Sequence, residues 1–261
     1  MNIPFDKEAD IMRKVNVFLF VILLLLSSCK HNPFPVITDH FESDSLNRIW
    51  TNDKFIPGAL SFQSEYARSG NRAAMITIHQ GDQIEEEKGT ILERAELKES
   101  KKLFSLENSD YAYSFSIFLP PDFPIVPTRL VIAQWKQNCQ SGTCNPGNPV
   151  IALRYVSGEF FITLQVGQDQ TTLYRQKESI LNKWLDFKFH IRFSRDRSGG
   201  IKAWLNGRQI IDFDGVTAYS QAFGYKMPGI FYFKIGLYRD QMDQTMTIYI
   251  DDYMKQQISK L

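Results

Sequence analysis

Apolar and polar positions alternate along most of this chain. The alternation is sharpest in Phe231–Arg239. There Phe231, Phe233, Ile235 and Leu237 share one parity, and Tyr232, Lys234, Gly236 and Tyr238 share the other. Side chains of a β-strand point to opposite faces with period two. The segment therefore reads as a strand with one apolar face for a core. Its second face carries two phenols, an ammonium and a glycine. Burying that face without partners is costly; lining a groove, it suits an anionic, hydroxyl-rich ligand, with Gly236 leaving room for it.

The same pattern predicts strands over Ala73–Gln80, Ile91–Lys98, Tyr111–Leu119, Leu130–Lys136, Val150–Val156, Phe160–Val166, Leu185–Phe193, Ile201–Leu205, Arg208–Phe213 and Met246–Tyr253. Pro120-Pro121-Asp122, Ser157-Gly158, Ser198-Gly199-Gly200 and Asn206-Gly207 punctuate them, and the last is a strong hairpin signal. Helical spacing is confined to Lys177–Lys183 and Tyr219–Gly224, each a short turn. Many strands at regular spacing predict an all-β chain, a β-sandwich of the jelly-roll type. In Leu185–Phe193 the apolar parity faces a core, and Lys188, His190 and Arg192 form a solvated face.

With 261 residues, 43% of them hydrophobic and 13% aromatic, the chain has enough apolar material for one sizeable core. No linker or repeat interrupts residues 37–261, which read as one domain and one monomer. A formal net charge of +1 gives no global field to recruit nucleic acid. The N-terminus changes the picture of where the domain works. Arg13 and Lys14 precede an apolar run, Val17–Leu26, too short to span a bilayer, and Leu26-Ser27-Ser28-Cys29 follows. The segment resembles a bacterial lipobox. That resemblance implies a signal peptide over 1–28, a lipidated Cys29, a tether over 29–36, and an exported lipoprotein of the outer membrane. Either membrane face stays open. An oxidising compartment permits a disulfide between Cys139 and Cys144 across a short loop. No His or second Cys pair nearby completes a zinc site. Glu42 near the start and Asp252 near the end offer hard oxygen ligands for a structural calcium where the terminal strands would meet.

Three strands carry the candidate chemistry. Leu92–Leu97 places Arg94 and Glu96 on one face, with Lys98 beyond them. Val131–Lys136 places Gln134 and Lys136 on one face and Trp135 on the other. Phe231–Arg239 brings Tyr232, Lys234 and Tyr238. Singly, each also reads as an outer strand face with cross-strand ion pairs. Taken in order, Arg-x-Glu-Leu, Gln-x-basic and Tyr-Phe-Lys-x-Gly-x-Tyr resemble the jelly-roll polysaccharide lyases: alginate lyases, glucuronan lyases and heparin lyase I. Trp184–Phe187, Ile201–Gly207 and Ile248–Asp252 are similar to the glucuronan lyase and heparin lyase I branch. The resemblance covers nearly all of residues 37–261. It implies a concanavalin A-like fold with a concave substrate groove and β-elimination at a uronic acid.

In that reading Arg94, Gln134 and Lys136 neutralise the uronate carboxylate, and Tyr238 moves the protons. Lys234, Tyr232, Glu96 and His79 contact the polymer, with Glu96 also orienting Arg94. No cofactor takes part in catalysis. The chain departs from the family pattern at Lys136, which stands where the family has His. Lys136 and His79 are therefore further candidates for the base. Lys98, Arg154 and Arg175 are candidate rim residues for a sulfated polymer. A carbohydrate-binding lipoprotein without catalysis is the competing reading. A laminarinase-type hydrolase is disfavoured, because no strand carries an alternating Glu-x-Asp-x-x-Glu pattern and Glu85-Glu86-Glu87 reads as a solvated loop.

Overall fold

The computed structural model describes residues 35–51, 56–87, 90–140 and 142–259, without the side chains of 83–87 and 90. The leader, Cys29 and most of the tether lie outside the described residues. In chain order the strands are β1 (Ile37–Asp39), β2 (Trp50–Thr51), β3 (Leu60–Gln63), β4 (Ala73–Ile78), β5 (Gln83–Glu87), β6 (Thr90–Glu99), β7 (Ser105–Leu106), β8 (Asp110–Phe118) and β9 (Leu130–Gln137). There follow β10 (Ile151–Val156), β11 (Glu159–Gln165), β12 (Gln170–Gln176), β13 (Trp184–Arg192), β14 (Gly200–Leu205), β15 (Arg208–Asp214), β16 (Ile230–Asp240) and β17 (Met246–Ile258).

Two antiparallel sheets form a sandwich. One runs β15-β14-β13-β8-β17-β4-β3, with β1 on β17. The other runs β12-β11-β10-β9-β16-β6-β2, with β5 on β6 and β7 on β16. Each strand predicted from alternation is present, to within a few residues at its ends. Asn206 and Gly207 both adopt positive φ, at 49° and 79°. That is the twist a two-residue hairpin needs, and it joins β14 to β15. Trp135 of β9 shows how the sheets interlock. It packs against Phe233 of its own sheet at 4.8 Å, and against Tyr113 and Phe189 of the opposite sheet at 5.4 and 4.6 Å. Each such fully buried aromatic contributes roughly 1.5–3 kcal/mol of apolar transfer.

Some expectations fail, each for a local reason. Lys177–Lys183 forms a turn without helix, and only Gln221–Phe223 within the second helical candidate makes a 3-10 turn. β12 was invisible to alternation because it is an edge strand with mostly exposed or half-buried positions. The triplet Glu85-Glu86-Glu87 belongs to a strand, β5, paired to β6, rather than to a loop. Gly236 makes no room for a ligand. A Cβ there would lie 2.2 Å from the Ala95 carbonyl oxygen, so the glycine serves the close approach of β6. His190 is half-buried and edges onto Trp204 at 5.0 Å, rather than standing free in solvent.

Candidate active site

The candidate residues gather on the outer face of the nine-stranded sheet. Register explains how. Arg94 of β6 lies opposite Tyr238 of β16, Tyr238 opposite Val131 of β9, and Val131 opposite Arg154 of β10. The next row reads Lys98, Lys234, Gln134 and Ala152. Irregularities separate the rows, at Ile235/Tyr238 in β16 and at Leu153/Arg154 in β10. A bulge re-aims the side chains beyond it. Here it turns Val131 out to join Leu92, Ala152 and Tyr238 in a small apolar floor, apart from the main core.

Glu96 is the centre of the polar network. It is 1% exposed, and its carboxylate accepts hydrogen bonds from the Gln134 amide and, at 3.2 Å, from Lys234 Nζ. The Nε of Arg94 lies 3.3 Å away. One buried anion thus fixes an amide and two cations from three different strands. Two cations to one anion leave the cluster net positive, and the carboxylate, fully partnered, is tolerable where it is buried.

Tyr238 lies beyond this hub, 8% exposed. The Arg94 guanidinium lies 4.2 Å and that of Arg129 5.0 Å from its ring centroid. Both are within cation–π range. Arg129 is held from behind by a forked pair with Asp240, which keeps its proton bound more firmly than usual. Arg154 differs. Burial first, and the Arg129 charge second, pull its guanidinium down to about 10, and it donates to the neutral Thr163 hydroxyl at 3.1 Å. Further along the sheet, Tyr232 stacks on Phe104 at 5.1 Å with Lys98 Nζ 5.0 Å from its ring centroid. Burial, and then Glu96, push the Tyr232 phenol up to about 12.

These side chains open onto a cavity of about 240 Å³. Arg94, Arg129, Lys136, Arg154 and Lys234 line it with Tyr238 and Gln134, and among the described residues no carboxylate does. Gly147, Asn148 and Pro149 form one wall. They follow the loop closed by the Cys139–Cys144 disulfide, and Asn148 donates to Gln165. A cavity on the other sheet, about 180 Å³, is lined by Arg192 and Lys202 but also by Asp110 and Asp214, and Arg192 is paired to Asp110 at 2.6 Å. Its charge is balanced, so it does not compete as an anion site.

The structure brings Arg94, Gln134, Lys136, Lys234 and Tyr238 together at one cavity. Glu96 lies beneath them rather than on the wall. His79 does not join: it is exposed just after β4 of the other sheet, with Asp82 3.3 Å from its ring. Arg175 pairs with Glu159 outside the cavity. Glu42 and Asp252, the expected calcium ligands, have protein partners. The Glu42 carboxylate accepts from the backbone N–H groups of Asn71 and Arg72, and Asp252 from Ser69, with His40 2.8 Å away. No group of three or more metal-ligating side chains occurs among the described residues. Arg129 escaped the sequence reading. It sits just before β9, directly after Val126-Pro127-Thr128, where no periodicity marks it.

The family model for polysaccharide lyases matches residues 38–254. No curated protein sequence matches the chain. Among solved structures it is similar to an endo-β-1,4-glucuronan lyase from the fungus Trichoderma reesei. That similarity has a TM-score of 0.65 and 16% identity, covering 84% of this chain and 94% of the other. It is also similar to an alginate lyase of polysaccharide lyase family 7, with TM-score 0.54, 16% identity, and 78% and 84% coverage. A cellulose-induced protein, Cip1, gives TM-score 0.54 and 16% identity over 84% and 96% of the two chains. At these identities the structural likenesses speak to a shared jelly-roll fold.

Proposed function

The chain belongs to the polysaccharide lyase family, and from that premise we propose that it cleaves a uronic-acid polysaccharide within the chain by β-elimination, at the cavity around Tyr238. One observation carries this reading: five cationic side chains and no described carboxylate surround a tyrosine and an amide. That electrostatic setting fits an anionic sugar polymer, and oxygen-rich uncharged glycans would gain little from it.

Elimination beside an ionised carboxylate is unfavourable, because a second negative charge develops on the adjacent carbon. Arg94 and Gln134, held in place by Glu96, would grip that carboxylate and take up the developing charge. Lys136 and Lys234 add positive potential. Tyr238, as phenolate, would remove the proton from C5. The electron pair left on C5 becomes the C4=C5 double bond, the C4–O bond breaks, and the leaving oxygen takes a proton. Tyr238 can serve both steps, since it regains a proton in the first and gives it up in the second. Lys136 is the other candidate base on the same wall.

Wild-type protein incubated with uronate polymers should raise ultraviolet absorbance from the new conjugated double bond. Tyr238→Phe, which keeps the ring between its cations, should reduce that signal by at least about a thousandfold, a loss on the scale of removing a general base and acid together. Near-full activity in Tyr238→Phe would pass the role to Lys136. Polymer binding with no absorbance change in the wild type would make the protein a binding module instead. The N-terminal pattern supports placing this activity on a lipid-anchored protein at the outer membrane, and metabolic labelling with a fatty acid, lost in Cys29→Ala, tests that.

A further inference from the structure

Glu93 and Arg239 form an ion pair with both side chains fully buried. Nε and Nη2 of Arg239 lie 2.7 and 2.6 Å from one Glu93 oxygen. The two residues stand directly opposite each other across β6 and β16. Each adjoins a residue of the candidate site: Glu93 precedes Arg94, and Arg239 follows Tyr238. Successive side chains of a strand face opposite ways. Arg94 and Tyr238 therefore line the cavity, while the ion pair sits beneath them on the inner side of the same sheet. The pair also reaches beyond its own strands. The other Glu93 oxygen accepts from the Gly81 backbone N–H at 2.8 Å, and Arg239 Nη1 donates to the Gln244 carbonyl at 2.7 Å. Gly81 lies between β4 and β5, and Gln244 between β16 and β17, and both connections cross from one sheet to the other.

Net stability is a poor account of such a pair. Desolvating two charges cancels most of their attraction, and apolar residues of similar size commonly hold a core as well. What the pair does add is a penalty on every other pairing, because a slipped strand leaves two charges buried apart. That penalty matters at this point of β16. Register with β9 breaks between Ile235 and Tyr238, so β9 carries no unbroken ladder up to the phenol. Arg239 is the first residue beyond it. On the outer face Asp240 pairs with Arg129, but those side chains are 36% and 42% exposed, where an ion pair holds little.

We propose that Glu93 and Arg239 are positioning residues for the reaction at Tyr238. Their pair locks β16 against β6 just past the break, and so fixes the Tyr238 phenol relative to the Arg94 guanidinium. The inference rests on the reading of this cavity as the elimination site, and it names what holds the proton-transfer group in place. Neither residue touches a sugar; both act through the strand that carries Tyr238.

Replacing both partners with apolar residues separates positioning from stability. Glu93→Leu with Arg239→Met leaves no charge buried, and solvent can serve the exposed Gly81 and Gln244 backbone groups. The double variant should melt at or near the wild-type temperature. Its kcat on a homopolyuronate should nevertheless fall about a hundredfold, the scale of a misplacement near 1 Å. KM should change little, because the Glu96 hub that holds Arg94, Gln134 and Lys234 is intact. Asp110→Leu with Arg192→Met removes a cross-strand ion pair of the other sheet and should leave kcat at the wild-type value. The proposal is overturned by a wild-type kcat in E93L/R239M, by a loss confined to KM, or by an equal loss of kcat in D110L/R192M. Should E93L/R239M fail to fold, Arg239→Lys takes its place, since it keeps the charge and loses the fork. A lowered kcat at unchanged KM then supports the proposal, and a wild-type kcat removes it. If wild type yields no unsaturated product from any uronate polymer, the elimination reading fails, and crystal structures of wild type and the folded variant still read the positioning. A Tyr238 ring displaced from its 4.2 Å approach to the Arg94 guanidinium sustains it. An unmoved ring removes it.

Discussion

A carboxylate at 1% exposure, touching an amide and two cations, leaves none of the four side chains much freedom. Glu96 is therefore a positioning residue, acting through Arg94, Gln134 and Lys234 rather than on a sugar. Glu96→Ala would leave two cations facing each other beneath the cavity. It should cost about 3–5 kcal/mol in denaturant unfolding, the scale of breaking a buried pair, and elimination should fall with it. Glu96→Gln keeps the shape and should cost less stability while still lowering kcat, because the amide no longer holds the cations. Equal stability of Glu96→Ala and wild type would mean the hub is not formed in solution. At this scale the sequence was readable where a residue sat on a regular strand. Arg94, Gln134, Lys136, Lys234 and Tyr238 followed from parity and motif. Arg129 did not, since a residue in a connecting segment has no parity to betray its direction. His79 misled for the opposite reason: its strand was correctly seen, but its sheet was not.

β16 shows what a strand contributes beyond its side chains. It runs between β9 and β6 and keeps continuous register with β6 while breaking register with β9. Gly236 sits at the break with φ of 148°, and the Ala95 carbonyl oxygen occupies the place of its Cβ. Gly236→Ala must move one backbone or the other, so we expect a loss of about 2–4 kcal/mol, in the range of severe backbone and packing defects. Because the break sets the facing of Tyr238 against Lys234, activity should drop even at temperatures where the variant remains folded. Circular dichroism melts with parallel absorbance assays check both. Alternation located this strand and sorted its faces, yet it assigned the glycine to the ligand. Sequence shows that a position lacks a side chain; only the packed neighbour shows what fills the gap.

Across the whole molecule, the connection between β3 and β4 meets β17 at a buried carboxyl. Asp251 of β17 is fully buried and accepts from the backbone N–H groups of Arg68, Ser69 and Asp252. Burial outweighs those donors and pushes it up to about 6. A folded value above the unfolded one means the fold favours the neutral acid. Its contribution is complete below about pH 4 and is lost as pH rises through about 6, an upper bound of roughly 3 kcal/mol. Unfolding free energy measured across that window should carry this downward component, and Asp251→Asn should remove it; parallel wild-type and D251N curves would refute the assignment. The sequence by itself determined the all-β class, the face each strand turns to the core, the disulfide loop, and most of the side chains that line the cationic cavity. Period-two alternation and turn chemistry are local, and they survive without knowledge of partners. Tertiary structure alone decided which sheet each strand joined, and that Glu42 meets backbone donors while Asp252 meets the Ser69 hydroxyl and His40. It also placed Arg129 beside Tyr238. Those facts depend on register between strands far apart in sequence, where a shift of one residue reverses every face and no local pattern records the choice.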